Sequence, residues 1–502
     1  MNPKTILCSQ SSPCWQKSSS ITMLENKSVK KRFVSGVFFT ALAKYSGLVI
    51  QIAVTAVLAR LLTPEDFGIV ALATVLIQFF NTLSEAGLGP AVIQRKELSR
   101  SNHDSIFTLS LFVGVGLSLL FFSASGLIAE YYDNEKLRGI CKWLSLLILI
   151  NSLNVVPQSL LLKDERFKIL GIRTVVVQFL TGVVSIYAAY TGWGIYSLVI
   201  SALMSSSLLL FVNYYLRPLK LNFHFGCIKQ IASFSVFQFM FNIINYFGRN
   251  MDKMLVGKFI GMSQLGYYEK SYRLMILPLN NITFVITPVL HPIFSNFQND
   301  IQCMSEKYFK LLKFIGYIAF PLTALLYFTA EELVLIFFGN QWEPSVPAFR
   351  ILALTAGLQV INSTSGSIFQ AINGTKQLFI CGLVSTIVSL IGLLIAVLLF
   401  KSIISVAILF DITTVFTVFF SYFVLFRQMQ IPYHKLFIIF RQPFLLMLVE
   451  FGLMFMFVHI CPLSNLFLSL ILKTFLIGGL TVVYLLYSGI ITKEAIFKFI
   501  KR

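Results

Sequence analysis

Long apolar runs alternate with short polar breaks along most of the chain. The runs exceed the roughly 20 apolar residues that a helix needs to cross a bilayer, and they lack the period-two alternation of barrel strands. Read against loops rich in Lys, Arg, Asp, Asn or Pro, they predict about fourteen helical spans. These lie near residues 35–60, 68–92, 105–129, 140–162, 169–190, 193–216, 229–249, 272–297, 311–338, 347–372, 378–400, 402–427, 437–459 and 464–491. One break stands out. In LARLLTPEDFGIVALA, residues 58–73, Arg60-Leu61-Leu62 closes the first span. Thr63 suits a helix N-cap and Pro64 the first helical position. Glu65 and Asp66 fall in the first turn, where the helix dipole favours anions. A tight helix-to-helix turn is expected there.

The stretch repeats. Residues 255–271, LVGKFIGMSQLGYYEKS, align with it at a constant offset of 198, setting Arg60 on Lys258, Phe67-Gly68 on Leu265-Gly266 and, farther on, Pro90 on Pro288. Six spans separate the copies, and an even number of crossings gives both the same orientation. Spans 1–6 and 7–12 therefore read as parallel repeats related by an axis along the membrane normal, as is typical of transporters. The organisation expected is a tail at 1–32, a six-helix lobe at 33–220, a second at 221–430, and two extra membrane helices with a short tail at 431–502.

Composition agrees with an all-α integral membrane protein. At 502 residues, 57% hydrophobic and 12% charged, with mean hydropathy +0.80, the chain has more apolar surface than a soluble core could bury. The net charge of +19 is unevenly spread. With the N-terminus in the cytoplasm, about 27 of the 40 basic residues fall in the termini and even-numbered loops, against about 11 in the odd ones. Both termini are thus expected in the cytoplasm, and inner loops resting on anionic lipid account for the charge without nucleic acid. Residues 1–32 are polar and lack the order of a signal peptide; they read as a disordered tail, with Met23 an alternative start. The seven Cys form no CxxC pair and no two of the five His lie at i, i+4, so neither disulfides nor a metal site are expected. No GxSxG, HExxH or P-loop occurs, and the loops are too short for a nucleotide-binding domain, so neither an enzyme nor transport powered by bound ATP is expected.

The candidate chemistry lies in polar residues inside the spans. Asn242, Asn245, Arg249 and Asp252 fall on one face of span 7, and the repeat places Lys44 and Gln51 of span 1 opposite Asn242 and Arg249. A cation in hydrocarbon costs several kcal/mol and seeks a partner or a watered cavity. The two stripes would line a central cavity favouring an anionic substrate. For Arg249 and Lys253, near the span's outer end, snorkelling to the interface is an equal alternative. Arg173 serves either that cavity or the headgroups. Asp411 is a candidate proton or cation coupling site, or a hydrogen-bonded core acid. Glu450 and Lys473, about equally far from the turn joining the last two spans, are expected to form a structural ion pair in the hairpin.

Three stretches carry a family resemblance: VLARLLTPEDFGIVALATVLIQFFNTLSEAGLGPAVIQRKELS, NMDKMLVGKFIGMSQLGYYEKSYRLMILPLNNI and FPLTALLYFTAEELVLIFFGNQWEPSVPAFRIL. The chain resembles polysaccharide transporters and O-antigen flippases of the MATE-like MOP superfamily, the Wzx-type proteins, nearest to the subgroup of colanic-acid exporters. The resemblance covers roughly residues 34–430. It implies an inner-membrane flippase in polysaccharide or lipopolysaccharide biosynthesis. Its substrate would be a polyprenyl-pyrophosphate-linked oligosaccharide, carried to the periplasmic leaflet by alternating access of two lobes. Proton or sodium coupling would replace a bound cofactor, and glycosyltransferases and a polysaccharide polymerase would be its partners. The rivals are a multidrug or cation antiporter of the same superfamily, whose cavity should be lined by acids, and a membrane-embedded polysaccharide polymerase or ligase, which needs a large outer loop.

Overall fold

The computed structural model describes residues 39–85, 88–95, 98–224, 226, 243, 246–298, 300–461 and 463–488, and every regular element among them is helical. The first lobe comprises α1 (Phe39–Leu61), α2 (Pro64–Glu85), α3 (Leu88–Gln94), α4 (Arg100–Tyr131), α5 (Lys136–Lys163), α6 (Phe167–Tyr190) and α7 (Tyr196–Leu216). The second runs from α8 (246–259) through α9 (Met262–Ser295), α10 (Ile301–Phe328), α11 (Ala330–Phe338), α12 (Ser345–Leu354), α13 (Ala356–Asn362), α14 (Ser365–Ala371) and α15 (Thr375–Ile395) to α16 (Ile403–Gln428). Then α17 (His434–Ile460) and α18 (Leu466–Tyr487) form a hairpin packed on α10 and α11. Local chemistry sets many starts. Asp66 Oδ2 accepts from Thr63 N (3.1 Å) and Thr63 Oγ1 (2.8 Å), while Thr63 Oγ1 accepts from Asp66 N (3.2 Å), a reciprocal cap that makes the 61–64 turn as tight as expected. Asp300 and Asn465 cap α10 and α18 more simply, their side chains accepting from backbone N–H groups of the first turn.

Among the described residues, eleven helices are long and apolar enough to cross a membrane, or twelve if the pair broken at Thr355 counts as one span, so the count of fourteen is not reached. The tenth expected span bends by 42° where α12 meets α13, and the second takes in both α2 and α3. Most of the expected seventh span, including Asn242 and Asn245, lies outside the described residues. The eighth begins ten residues before its apolar run does. As α9 starts at Met262, it carries Glu269 and Lys270, which hydropathy assigns to a loop, into the helix bundle together with Arg273 at the edge of the expected span.

The lobes meet where α2 crosses α9, and the crossing obeys the sequence repeat. A Cβ on Gly68 would lie 1.8 Å from Met262 O and 3.1 Å from Gly266 N; one on Gly266 would lie 2.0 Å from Pro64 O and 3.3 Å from Gly68 N. Gly68 and Gly266 are 198 apart in sequence, as are Pro64 and Met262, so each glycine receives the other repeat's first helical carbonyl. Only glycine permits so close an approach. The repeated cations behave alike: Arg60 donates to Ile336 O (2.7 Å) near the end of α11, and Lys258 donates to Tyr131 O at the end of α4, each reaching from one lobe to a helix C-terminus of the other. Trp342 Nε1 donates to Ala59 O (2.8 Å) and Gln341 to Leu62 O (3.1 Å). The bundle is closed at the end holding the 61–64 turn.

The expected Glu450–Lys473 pair is not formed. Lys473 is paired with Glu332 of α11, which also accepts from Ser469 Oγ (2.6 Å), and it donates to Phe328 O (2.8 Å). Glu450 accepts from Thr481 Oγ1 (2.8 Å), about two turns farther along α18. Equal depth within a hairpin holds when its helices face only each other; here both pack on α10 and α18 also on α11, and the break at Thr329 brings a nearer carboxylate. Removing one member of a buried pair costs about 3–5 kcal/mol, because the other stays charged and unmatched. Lys473→Met should therefore lower the unfolding temperature in detergent sharply, Glu450→Gln only slightly, and Glu332→Met with Lys473→Met should recover most of the loss. Equal effects of Lys473→Met and Glu450→Gln would contradict this arrangement.

Candidate substrate cavity

Three connected cavities lie between the lobes on the open side of the Gly68–Gly266 crossing. The largest, about 640 Å³, is lined by the first half of α1, the adjoining ends of α5 and α6, and the middle of α9. Lys44, Gln51, Arg173 and Arg273 contribute its polar wall, with Gln158, Gln178, Asn280 and Asn281 beside them. A second, about 560 Å³, extends toward the crossing and shares Gln51, Gln178 and Arg273. A third, about 310 Å³ and chiefly leucine and phenylalanine, leads from Gln51 and Arg273 between α1 and the C-terminal hairpin.

The cations here are unmatched. Among the described residues none of Lys44, Arg173 and Arg273 has a carboxylate partner. Lys44 Nζ rests 3.4 Å from the centre of the Phe284 ring, a contact that holds the ammonium without neutralising it. Arg173 is only 9% exposed, and among the described residues its Nε and Nη1 have no hydrogen-bond partner. Buried donors of a charged group are costly to leave unsatisfied. Three cations on a cavity walled by amides make a receptor for an anion with several oxygens, since guanidinium planes fit phosphate in bidentate fashion.

The expected site residues divide accordingly. Lys44, Gln51 and Arg173 come together on the largest cavity. Arg249 is exposed, and neither it nor Asp252 is among the residues lining the three cavities. Asp252 accepts from Tyr268 OH (2.9 Å), and its neighbour Lys253 is paired with Glu269 at 2.8 Å. Asp411 is buried where the tenth span bends; its Oδ1 accepts from Thr355 Oγ1 (2.6 Å), and among the described residues its Oδ2 has no partner. Lys270 falls outside the expected eighth span, which starts at 272, and Arg273 lies at its very edge, so neither stands out in the sequence as a residue inside a span. The signal that finds them is the repeat itself, whose second copy, read as helix from Met262, carries the charges inward.

Residues 57–347 match the family described as polysaccharide biosynthesis protein. The chain belongs to this family. Curated relatives include the teichuronic acid biosynthesis protein TuaB of Bacillus subtilis (27% identical, covering 68% of this chain and 72% of the relative) and the lipopolysaccharide biosynthesis protein WzxC of Escherichia coli (26%, 68% and 71%). The succinoglycan biosynthesis transport protein ExoT of Rhizobium meliloti is 26% identical over 66% of this chain and 68% of its own length. Among solved structures, the lipid II flippase MurJ in an inward closed conformation superposes with TM-score 0.72 at 18% identity, covering 93% of this chain and all of its own. An inward-facing multidrug MATE transporter of the MOP superfamily gives 0.61 at 15%, with 76% and 96% covered. The fold of this polysaccharide biosynthesis protein is thus that of the two-lobed MOP transporters.

Proposed function

We propose that the protein is a flippase that carries a polyprenyl-pyrophosphate-linked oligosaccharide across the cytoplasmic membrane by alternating access of its two lobes. The observation that carries this reading is the unmatched Lys44, Arg173 and Arg273 around one cavity that is closed at the 61–64 end. The pyrophosphate would be held by these cations, the glycan would extend into the adjoining polar compartment, and the lipid tail would remain on the apolar side. The asymmetry of Lys and Arg supports cytoplasmic termini, which makes the 61–64 end periplasmic and this conformation inward-open. Asp411, with one carboxylate oxygen unmatched, is the candidate group for proton or sodium coupling, and polymerase and glycosyltransferases of the same polysaccharide are the expected partners. A multidrug antiporter accords less well with the site, because Glu269, the one carboxylate lining these cavities, is already paired with Lys253.

The test is passage of a fluorescent lipid-linked oligosaccharide between leaflets of reconstituted vesicles, read by its protection from an added membrane-impermeant quencher. Protein-dependent exchange is expected for the glycosylated carrier and not for a cationic dye of similar size. Exchange of the dye alone would favour the antiporter and defeat this reading.

A further inference from the structure

The compartment beside the cationic cavity contains a charge that the pyrophosphate does not account for. Lys270, on α9 one turn beyond Gly266, is 2% exposed and still lines this compartment. Its Nζ stands 3.6 Å from the centre of the Phe67 ring, 5.1 Å from Phe338 and 5.5 Å from Trp342. The indole is fixed by its bond to Ala59 O, so the cage is rigid. Among the described residues Lys270 has no carboxylate partner; the nearby Glu269 is taken by Lys253. Aromatic rings attract an ammonium without cancelling its charge, and a buried charge without a counter-ion remains costly. Apart from Arg273 and the paired Lys253 and Glu269, the polar part of the wall is neutral. Gln78, Gln178, Thr181, Ser201 and Ser205 offer neutral donors and acceptors, the chemistry that sugar hydroxyls require.

We propose that this compartment is a glycan subsite selective for an oligosaccharide bearing an acidic sugar, whose carboxylate is received by Lys270. The inference rests on the flippase reading and deepens it. With the pyrophosphate at Lys44, Arg173 and Arg273, the first sugars must enter the space that shares Arg273 and Gln178 with that site. A uronate there replaces a cation–ring contact by a charge-assisted hydrogen bond, which is the stronger of the two. A neutral glycan leaves the ammonium in its cage and gains nothing from it.

The experiment compares two lipid-linked oligosaccharides on the same polyprenyl pyrophosphate. One carries a uronic acid; in the other that carboxyl is reduced to a primary alcohol. In vesicles at sub-saturating substrate, the wild-type protein should move the acidic compound about tenfold faster, the size of one charge-assisted contact. Lys270→Gln should abolish the preference by slowing the acidic compound alone, and Lys270→Arg should keep it. Equal rates for the two compounds in the wild type would overturn the inference, and so would an equal slowing of both by Lys270→Gln. If Lys270→Gln fails to insert, the wild-type comparison decides by itself. Failure of the wild type to move either compound would instead defeat the flippase reading, and this inference with it.

Discussion

Gly68→Ala is expected to abolish transport while leaving the protein inserted and folded, and Gly266→Ala should do the same. In each case the new methyl group would sit about 2 Å from a backbone carbonyl of the other lobe, and a backbone cannot turn aside as a flexible side chain does. Overpacking of this kind costs on the order of 1–3 kcal/mol. The cost falls only on the conformation in which α2 and α9 touch, so the closed-to-open ratio at this end should drop by about ten- to a hundredfold. The measurement is twofold. Flipping is assayed in vesicles, and a cysteine at Ser205, in the compartment below the crossing, is labelled by an impermeant maleimide applied from the side of the 61–64 turn. Labelling should rise in both variants. Gly116→Ala, where a methyl group meets nothing within 4 Å, is the control and should behave as wild type. Arg60→Ala and Lys258→Ala remove one latch each and should shift labelling in the same direction but less. A Gly68→Ala protein that transports normally would show that this crossing does not set the outer closure.

The second large effect is expected at the cations. A hydrogen bond to a charged group contributes about 1.5–3 kcal/mol, so Arg173→Ala and Arg273→Ala should each weaken substrate binding by about ten- to a hundredfold. Arg173→Lys should recover little, since an ammonium cannot present the guanidinium's forked donors. Lys44→Ala should cost less, because Phe284 already engages its ammonium. Arg249→Ala, away from these cavities, should leave binding unchanged. The readout is concentration dependence in the vesicle assay, with polyprenyl pyrophosphate lacking sugars as competitor. If Arg249→Ala abolished binding and Arg173→Ala did not, the site would have to be moved to α8.

The legible parts of this molecule were those governed by short stretches of chain. The 61–64 turn follows from Thr63, Pro64 and Asp66 alone, since capping is a local hydrogen-bond exchange. The positions of Lys44 and Arg173 follow from the high cost of isolated charge in hydrocarbon, which directs both toward a cavity. Hydropathy failed where polar residues are helical and buried together. Glu269 and Lys270, next to Arg273, look like a loop because a window average sees the charges together, whereas the bundle surrounds them with partners, rings and cavity. At Arg249 the spacing left the cavity and the interface equally open, and the structure leaves the side chain exposed and away from the three cavities. A polar stripe fixes which residues share a helix face, and the neighbouring helices fix what that face meets.

By itself the sequence determined that the chain crosses a membrane many times as helices, that its two halves repeat at an offset of 198, and that cations are placed where lipid would reject them. Each of these follows from chain composition or near-neighbour spacing, which act before any helix has found its neighbour. Tertiary structure alone decided that the repeats touch at Gly68 and Gly266, that Lys473 pairs with Glu332, and that Lys270 is left in a cage of rings with no carboxylate partner among the described residues. Those outcomes depend on the rotation and depth of one helix against another. An error of a few residues in a span's boundary turns a side chain from the cavity to the lipid, and that angle is set by packing across the whole bundle.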